Sequence, residues 1–165
     1  MGLNLASMVG TRVFKCAAGT AGSEGATYTE LPGIEETSGG GIRNNSKDYI
    51  PHDTGIKHKV ATNQEYNDVR ISVADDLTDG AYGDSVVTIL NDAAKKREKF
   101  DLIKMVPAGD NEYKVTAWTG YVVEATTDDA RADNLQRGEF SMVVSARNEF
   151  TGTITGNTPT LTARA

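Results

Sequence analysis

The sequence is short of the residues from which most catalytic and metal sites are built. It holds one cysteine, Cys16, and two histidines, His52 and His58, in 165 residues. A single cysteine excludes an internal disulfide framework and a multi-cysteine metal site. A Ser-His-Asp or Cys-His enzyme needs a base beside its nucleophile. Both histidines instead fall in a polar stretch, and no G-x-S-x-G surrounds any serine. No apolar run approaches the roughly 20 residues that cross a bilayer, so membrane insertion is not expected. Met1–Gly10 lacks a basic n-region and a long apolar h-region, so no signal peptide is expected. Cations are the minority, 17 Lys+Arg against 23 Asp+Glu, for a formal net charge of −6. Without a basic stripe the chain is poorly suited to gripping nucleic acid, which takes clustered Lys/Arg on phosphates.

What is present is a chain that is 38% hydrophobic and 24% charged, enough to build one compact domain. Short β-like runs alternate with glycine-rich stretches. Thr11–Cys16 reads as a first strand, Ala17–Gly25 as a flexible connection, and Thr27–Leu31 as a second strand. From Pro32 to about Glu65 no strand or helix period is visible, which predicts a long loop containing Gly39, Gly40 and Gly41. Val69, Ile71 and Val73 then alternate with Asp68, Arg70 and Ser72, the period of a half-buried strand. Val86, Leu90 and Ala93 share one helical face, Asp84 is placed to cap that helix, and Lys95, Lys96, Arg97 and Lys99 complement its C-terminal dipole. Phe100–Val106 reads as a strand, Pro107–Asn111 as a turn, and Glu112–Glu124 as a long strand with a bulge at Gly120. After a polar crossover over Asp128–Leu135, strands are expected around Phe140–Ser145 and Phe150–Thr155. Residues 156–165 are expected to be a flexible tail that frays unless a partner holds it. Seven or so strands with one helix predict a mainly β fold: a two-sheet β-sandwich or barrel with one flanking α-helix. Residues 1–155 are expected to form that single domain.

The remaining motifs are weak. Asp75, Asp76, Asp79, Gly80 and Asp84 invite a calcium reading, but Leu77 and Val86 stand where oxygen ligands are required. Gly39-Gly40-Gly41 is followed by Ile-Arg rather than by the Gly-Lys-Ser/Thr of a phosphate loop. No catalytic residue, metal site or cofactor is expected.

The order of elements resembles the major tail tube proteins of long-tailed bacteriophages with non-contractile tails, from about Gly10 to Arg147. The segments that carry the resemblance are GTRVFK, TYTELPGIEETS, VRISVADD, GDSVVTILNDAAKKREK, FDLIKMVP, EYKVTAWTGYVVEA and GEFSMVVSA. It implies a structural subunit of the virion tail, made in the host bacterial cytoplasm. It implies hexameric rings that stack into a hollow tube, with DNA only passing through the lumen. It also implies tape-measure, tail-tip and terminator proteins as partners. The resemblance further implies that the long loop reaches the neighbouring ring. Carried onto this chain, that contact falls on Arg43, Asn44, Asn45, Lys47, Asp48, Tyr49, Ile50, His52, Lys57 and Lys59. A ring of six carries 6 × (−6) = −36 formal charges, a sign that repels DNA phosphates. Two other readings stay open: a tube protein of a contractile injection or secretion system or a head-tail connector or tail terminator ring, and a small β-sandwich carbohydrate-binding module using Trp118.

Overall fold

The computed structural model describes residues 10–32, 34–76, 86–127, 135–156 and 158–164. Among them the chain forms β1 (Arg12–Ala17), β2 (Thr29–Glu30), β3 (Ile34–Gly39), β4 (Ile42–Tyr49), β5 (His58–Tyr66), β6 (Val69–Asp76), α1 (Val86–Lys96), β7 (Phe100–Gly109), β8 (Glu112–Thr127), β9 (Leu135–Thr155) and β10 (Thr158–Ala163). The expected mainly β fold with a flanking helix is what forms. There are two sheets. One has eight strands, in the order β2-β1-β7-β8-β9-β6-β3 with β10 added to β9, and the other pairs only β4 with β5.

The alternation of side chains along β7 shows how the large sheet is used. Phe100 and Leu102 point into one core, and Ile103 and Met105 into another on the opposite face. A strand buried on both faces has to read as a near-continuous apolar run, as FDLIKMV does. The first core gathers Val69, Ile71, Val73, Trp118, Phe140 and Met142, and Val86, Val87, Leu90 and Ala93 of α1 close over it. Across this core Lys104 of β7 donates from Nζ to the Thr37 carbonyl of β3 at 3.2 Å. These strands are far apart in the sheet order, so the sheet has curled into a barrel-like wall. Bulges on β8, at Thr119/Gly120 and Val122/Glu124, supply curvature. At Gly120 a Cβ would lie 1.8 Å from the Val143 carbonyl oxygen, so only glycine fits the expected bulge. Helix α1 ends on Arg97 at φ 53°, with Glu98 N donating to the Ala93 carbonyl and Arg97 N to that of Ala94. This pair of bonds closes a Schellman turn, usually made by glycine.

The second core holds Phe14, Cys16, Ile103, Met105, Val115, Ala117 and Ile154. It is bordered by Ala21 and Tyr28 from the glycine-rich connection and by Leu161 from β10. Asp101, 2% exposed, pins that connection. Its carboxylate accepts from Gly19 N at 3.0 Å, Ala21 N at 3.1 Å and the Thr119 hydroxyl. The stretch expected to be flexible is thus tied to the core by its own backbone N–H groups.

Two expectations are corrected. The loop expected over residues 32–65 is not structureless: residues 34–65 hold β3, β4 and most of β5. Within the expected tail, residues 158–163 do not fray but form β10, which pairs with β9 from Thr158↔Thr155 to Ala163↔Phe150. Pro159 is buried and Leu161 packs on the core, while Thr158, Thr160 and Thr162 face out. The second strand shrinks to Thr29–Glu30, and the two final strands are one, β9. Asp84, Asp79 and most of the polar crossover, residues 128–134, lie outside the described residues.

Candidate functional site

The feature that departs most from an ordinary closed domain is the β4–β5 ribbon. Strands β3 and β6 pair in the large sheet up to Gly39↔Val69, and the same two chain segments resume pairing as β4 and β5 from Ile42↔Tyr66 to Tyr49↔His58. Eight residues of β4 at about 3.3 Å each carry the ribbon roughly 26 Å beyond its root. Apart from Asn45 and Tyr66, every residue of β4 and β5 is exposed. A two-stranded hairpin with neither face covered is marginally stable in water, because it buries too little to offset its ordering entropy.

The ribbon brings most of the loop residues singled out from sequence into one element. Arg43, Asn44, Asn45, Lys47, Asp48 and Tyr49 lie on β4, and Lys59 lies on β5. Ile50, His52 and Lys57 lie in the tip, residues 50–57, where Gly55 N donates to the Pro51 carbonyl at 2.9 Å. Register places Arg43 opposite Glu65 and Asp48 opposite Lys59. Lys57 approaches Asp48 at 3.2 Å, Tyr49 stacks on His58 with ring centroids 5.4 Å apart, and Asn45 donates to Asn63 Oδ1 at 3.2 Å. His58 is therefore part of a surface stack, and His52 sits apart from it in the exposed tip. Residues 42–66 carry four cations (Arg43, Lys47, Lys57, Lys59) against three carboxylates (Asp48, Asp53, Glu65). That leaves +1 on the ribbon and −7 on the rest of the chain.

Of the apolar side chains that the ribbon shows to solvent, sequence reading singled out Tyr49 and Ile50 and missed Ile42, Ile56 and Val60. Ile42, Tyr49, Ile50, Ile56 and Val60 are 53%, 49%, 63%, 61% and 45% exposed. Five large apolar groups are thus exposed together on one thin ribbon.

It also missed what the three glycines do. Gly39 and Gly40 have φ of +87° and +73°, and a Cβ on Gly39 would lie 2.1 Å from the Asp68 carbonyl oxygen. Gly40 N donates to that oxygen at 3.3 Å, and Asn67 N donates to the Gly41 carbonyl at 2.8 Å. The Gly40 carbonyl accepts from Trp118 Nε1 at 3.2 Å and from the Arg147 guanidinium at 3.3 Å. The glycines build a tight bend between sheet and ribbon. Trp118 is committed to the core and this bend, which leaves it unable to serve as an exposed sugar platform.

A second surface lies on the face of β3, β6, β9 and β8 that α1 does not cover. It forms a shallow groove of about 380 Å³ lined by Glu36, Arg70, Glu124 and Glu139 with Ser38, Ser72, Thr126 and Ser141. The three carboxylates and the single guanidinium are exposed, for a local excess of two negative charges. Cys16, the one thiol, is buried against Asp101 (Sγ–Oδ2 3.9 Å), and burial pushes it up from the ordinary thiol range. Among the described residues no group of three His, Cys, Asp or Glu side chains is placed to hold a metal.

No protein-family model and no curated protein matches the sequence. Solved structures do match in fold. A chain of the sheath/tube terminator of the PVC extracellular contractile injection system, in its extended state, superposes with a TM-score of 0.58 at 12% identity, over 84% of this chain and 92% of that one. A chain of the anti-feeding prophage baseplate gives 0.56 at 8% identity, over 84% and 91%. The SPP1 tail tube protein gives 0.54 at 11% identity, over 89% of this chain and 78% of that one. The chain shares the fold of tail tube and contractile-injection tube components.

Proposed function

We propose that this protein is a structural subunit of a phage tail tube, assembling into hexameric rings that stack around a channel for DNA. The observation that carries the reading is the projecting β4–β5 ribbon with its uncovered apolar side chains. In the stack, the ribbon of one ring lies on the adjacent ring. Ile42, Tyr49, Ile50, Ile56 and Val60 supply the apolar contact, and Arg43, Asn44, Asn45, Lys47, Asp48, His52, Lys57 and Lys59 supply its polar rim. A ribbon carrying +1 meets bodies carrying −7, so the contact is attractive in sign.

The acidic face of β3, β6, β9 and β8 lines the lumen. Six copies give 6 × (−2) = −12 from Glu36, Glu124, Glu139 and Arg70 alone. Over a Debye length of about 10 Å at 0.1 M salt, such a wall repels phosphates and lets DNA slide without adhering. No bond is made or broken; the work is that of a conduit and rigid spacer. Tape-measure and tail-end proteins are the other partners.

The second reading is a terminator ring of a contractile injection system, favoured by the likeness to the PVC terminator, which spans most of both chains. The test is a ribbon shortened by removing Lys47–Val60, which are opposite each other in register, and joining Ser46 to Ala61 through Asn-Gly. Under negative stain the full chain forms tubes and the shortened chain stops at single rings. Full-chain samples that form single rings only, at every concentration, favour the terminator. Unimpaired tubes from the shortened chain remove the ribbon from the stacking contact.

A further inference from the structure

We infer that Trp118 and Arg147 are positioning residues that lock the root of the ribbon, so that the ribbon leaves the body in one fixed direction before any partner binds. Trp118 and Arg147 face each other across β8 and β9 in register, and both donate to the one carbonyl of Gly40. An exposed surface bond would be shared with water, but Trp118 is 6% exposed and its bond is buried. The Gly40 carbonyl sits at the first residue past the end of β3, where any rotation of the ribbon must change the backbone. Rotation is resisted from the other strand too, since Gly40 N and the Gly41 carbonyl are bonded to Asp68 and Asn67. A Cβ on Gly40 would come within 2.4 Å of Trp118 Nε1, so glycine is what lets the two donors approach.

Arg147 is itself oriented. Its second guanidinium nitrogen donates to Glu149 Oε1 at 3.3 Å, and the other oxygen of Glu149 accepts from Arg164, just past β10, at 3.0 Å. The C-terminal strand therefore steadies the residue that steadies the ribbon. A fixed direction matters because a two-stranded ribbon that swings must be ordered at each docking event, and ordering costs affinity. This consequence for assembly rests on the function proposed above; the lock does not.

The test separates the two. Nitroxide labels at Thr54→Cys in the tip and Asp92→Cys on α1, with Cys16 buried and out of reach, give the tip-to-body distance in the unassembled chain. The parent shows one narrow distance distribution. Trp118→Phe, which keeps an apolar ring and loses the N–H, and Arg147→Met each broaden it at least twofold, and Arg147→Lys recovers part of the sharpness. Circular dichroism and the melting transition identify variants that retain the fold. Should Arg147→Met fail to fold, Trp118→Phe and Arg147→Lys carry the same comparison. Unchanged widths in folded Trp118→Phe and Arg147 variants overturn the lock. Broadened widths with tube growth at the parental rate uphold the lock and remove the ribbon from stacking. Broadened widths with growth slowed tenfold or more uphold both.

Discussion

Replacing Ile50 and Ile56 by serine leaves the isolated subunit almost untouched and weakens stacking severely. The two side chains are 63% and 61% exposed, so little of their area is buried within the chain. Exposed substitutions of this kind shift stability by no more than about 0.5 kcal/mol. Fully burying an isoleucine side chain is worth about 1.5–3 kcal/mol, so covering the exposed three-fifths is worth roughly 1–2 kcal/mol per residue. Two residues give about 2–4 kcal/mol per subunit, which at 1.4 kcal/mol per decade is a roughly 30- to 700-fold change in association. The assay is the concentration at which tubes first pellet in the ultracentrifuge, read beside a thermal melt of unassembled protein. This threshold rises at least about thirtyfold for the double variant, within that range, at unchanged melting temperature. A threshold within twofold of the parent, with the fold intact, refutes the assignment of these side chains to the stacking contact.

Other substitutions probe the supports of the fold. Gly40→Ala places a methyl against the Trp118 indole at φ +73° and should cost at least about 1–3 kcal/mol in a denaturant titration. Asp101→Ala removes the acceptor for Gly19 N, Ala21 N and the Thr119 hydroxyl. It should cost about 2–4 kcal/mol and raise amide exchange selectively over residues 17–28. Cys16 is buried and its thiol is held protonated chiefly by burial, with the neighbouring Asp101 carboxylate acting in the same direction. A thiol reagent at pH 8 should leave native protein unmodified for hours and react at once after unfolding.

The body of the domain could be read from the sequence because burial writes a period. Val69, Ile71 and Val73 alternate because one face of β6 is covered, and Val86, Leu90 and Ala93 repeat helically because one side of α1 is. Gly120 signalled its bulge because a side chain there would strike the Val143 carbonyl. The ribbon could not be read in the same way. Strand β4, Ile42–Tyr49, is covered on neither face, so IRNNSKDY has no reason to alternate and looks like loop. The same polarity made residues 43–59 stand out as a contact segment, yet it hid Ile42 and Val60 as part of that surface. Gly39 and Gly40 read as part of a long loop because composition reports the freedom of glycine and not the close approach that requires it. The acidic groove was invisible for a different reason. Glu124 and Glu139 lie on the consecutive strands β8 and β9, but Glu36 and Arg70 come from β3 and β6, distant in the chain, and join them only through sheet order.

Assembly into a tube is tested most directly by cryo-electron microscopy of the concentrated protein, with a tail-initiating complex added if tubes do not nucleate alone. Hollow tubes of stacked sixfold rings are expected, with Glu124 and Glu139 facing the channel and each β4–β5 ribbon lying on the neighbouring ring. Protein that stays monomeric under both conditions, or rings that turn the acidic face outward and leave the ribbons in solvent, would contradict it.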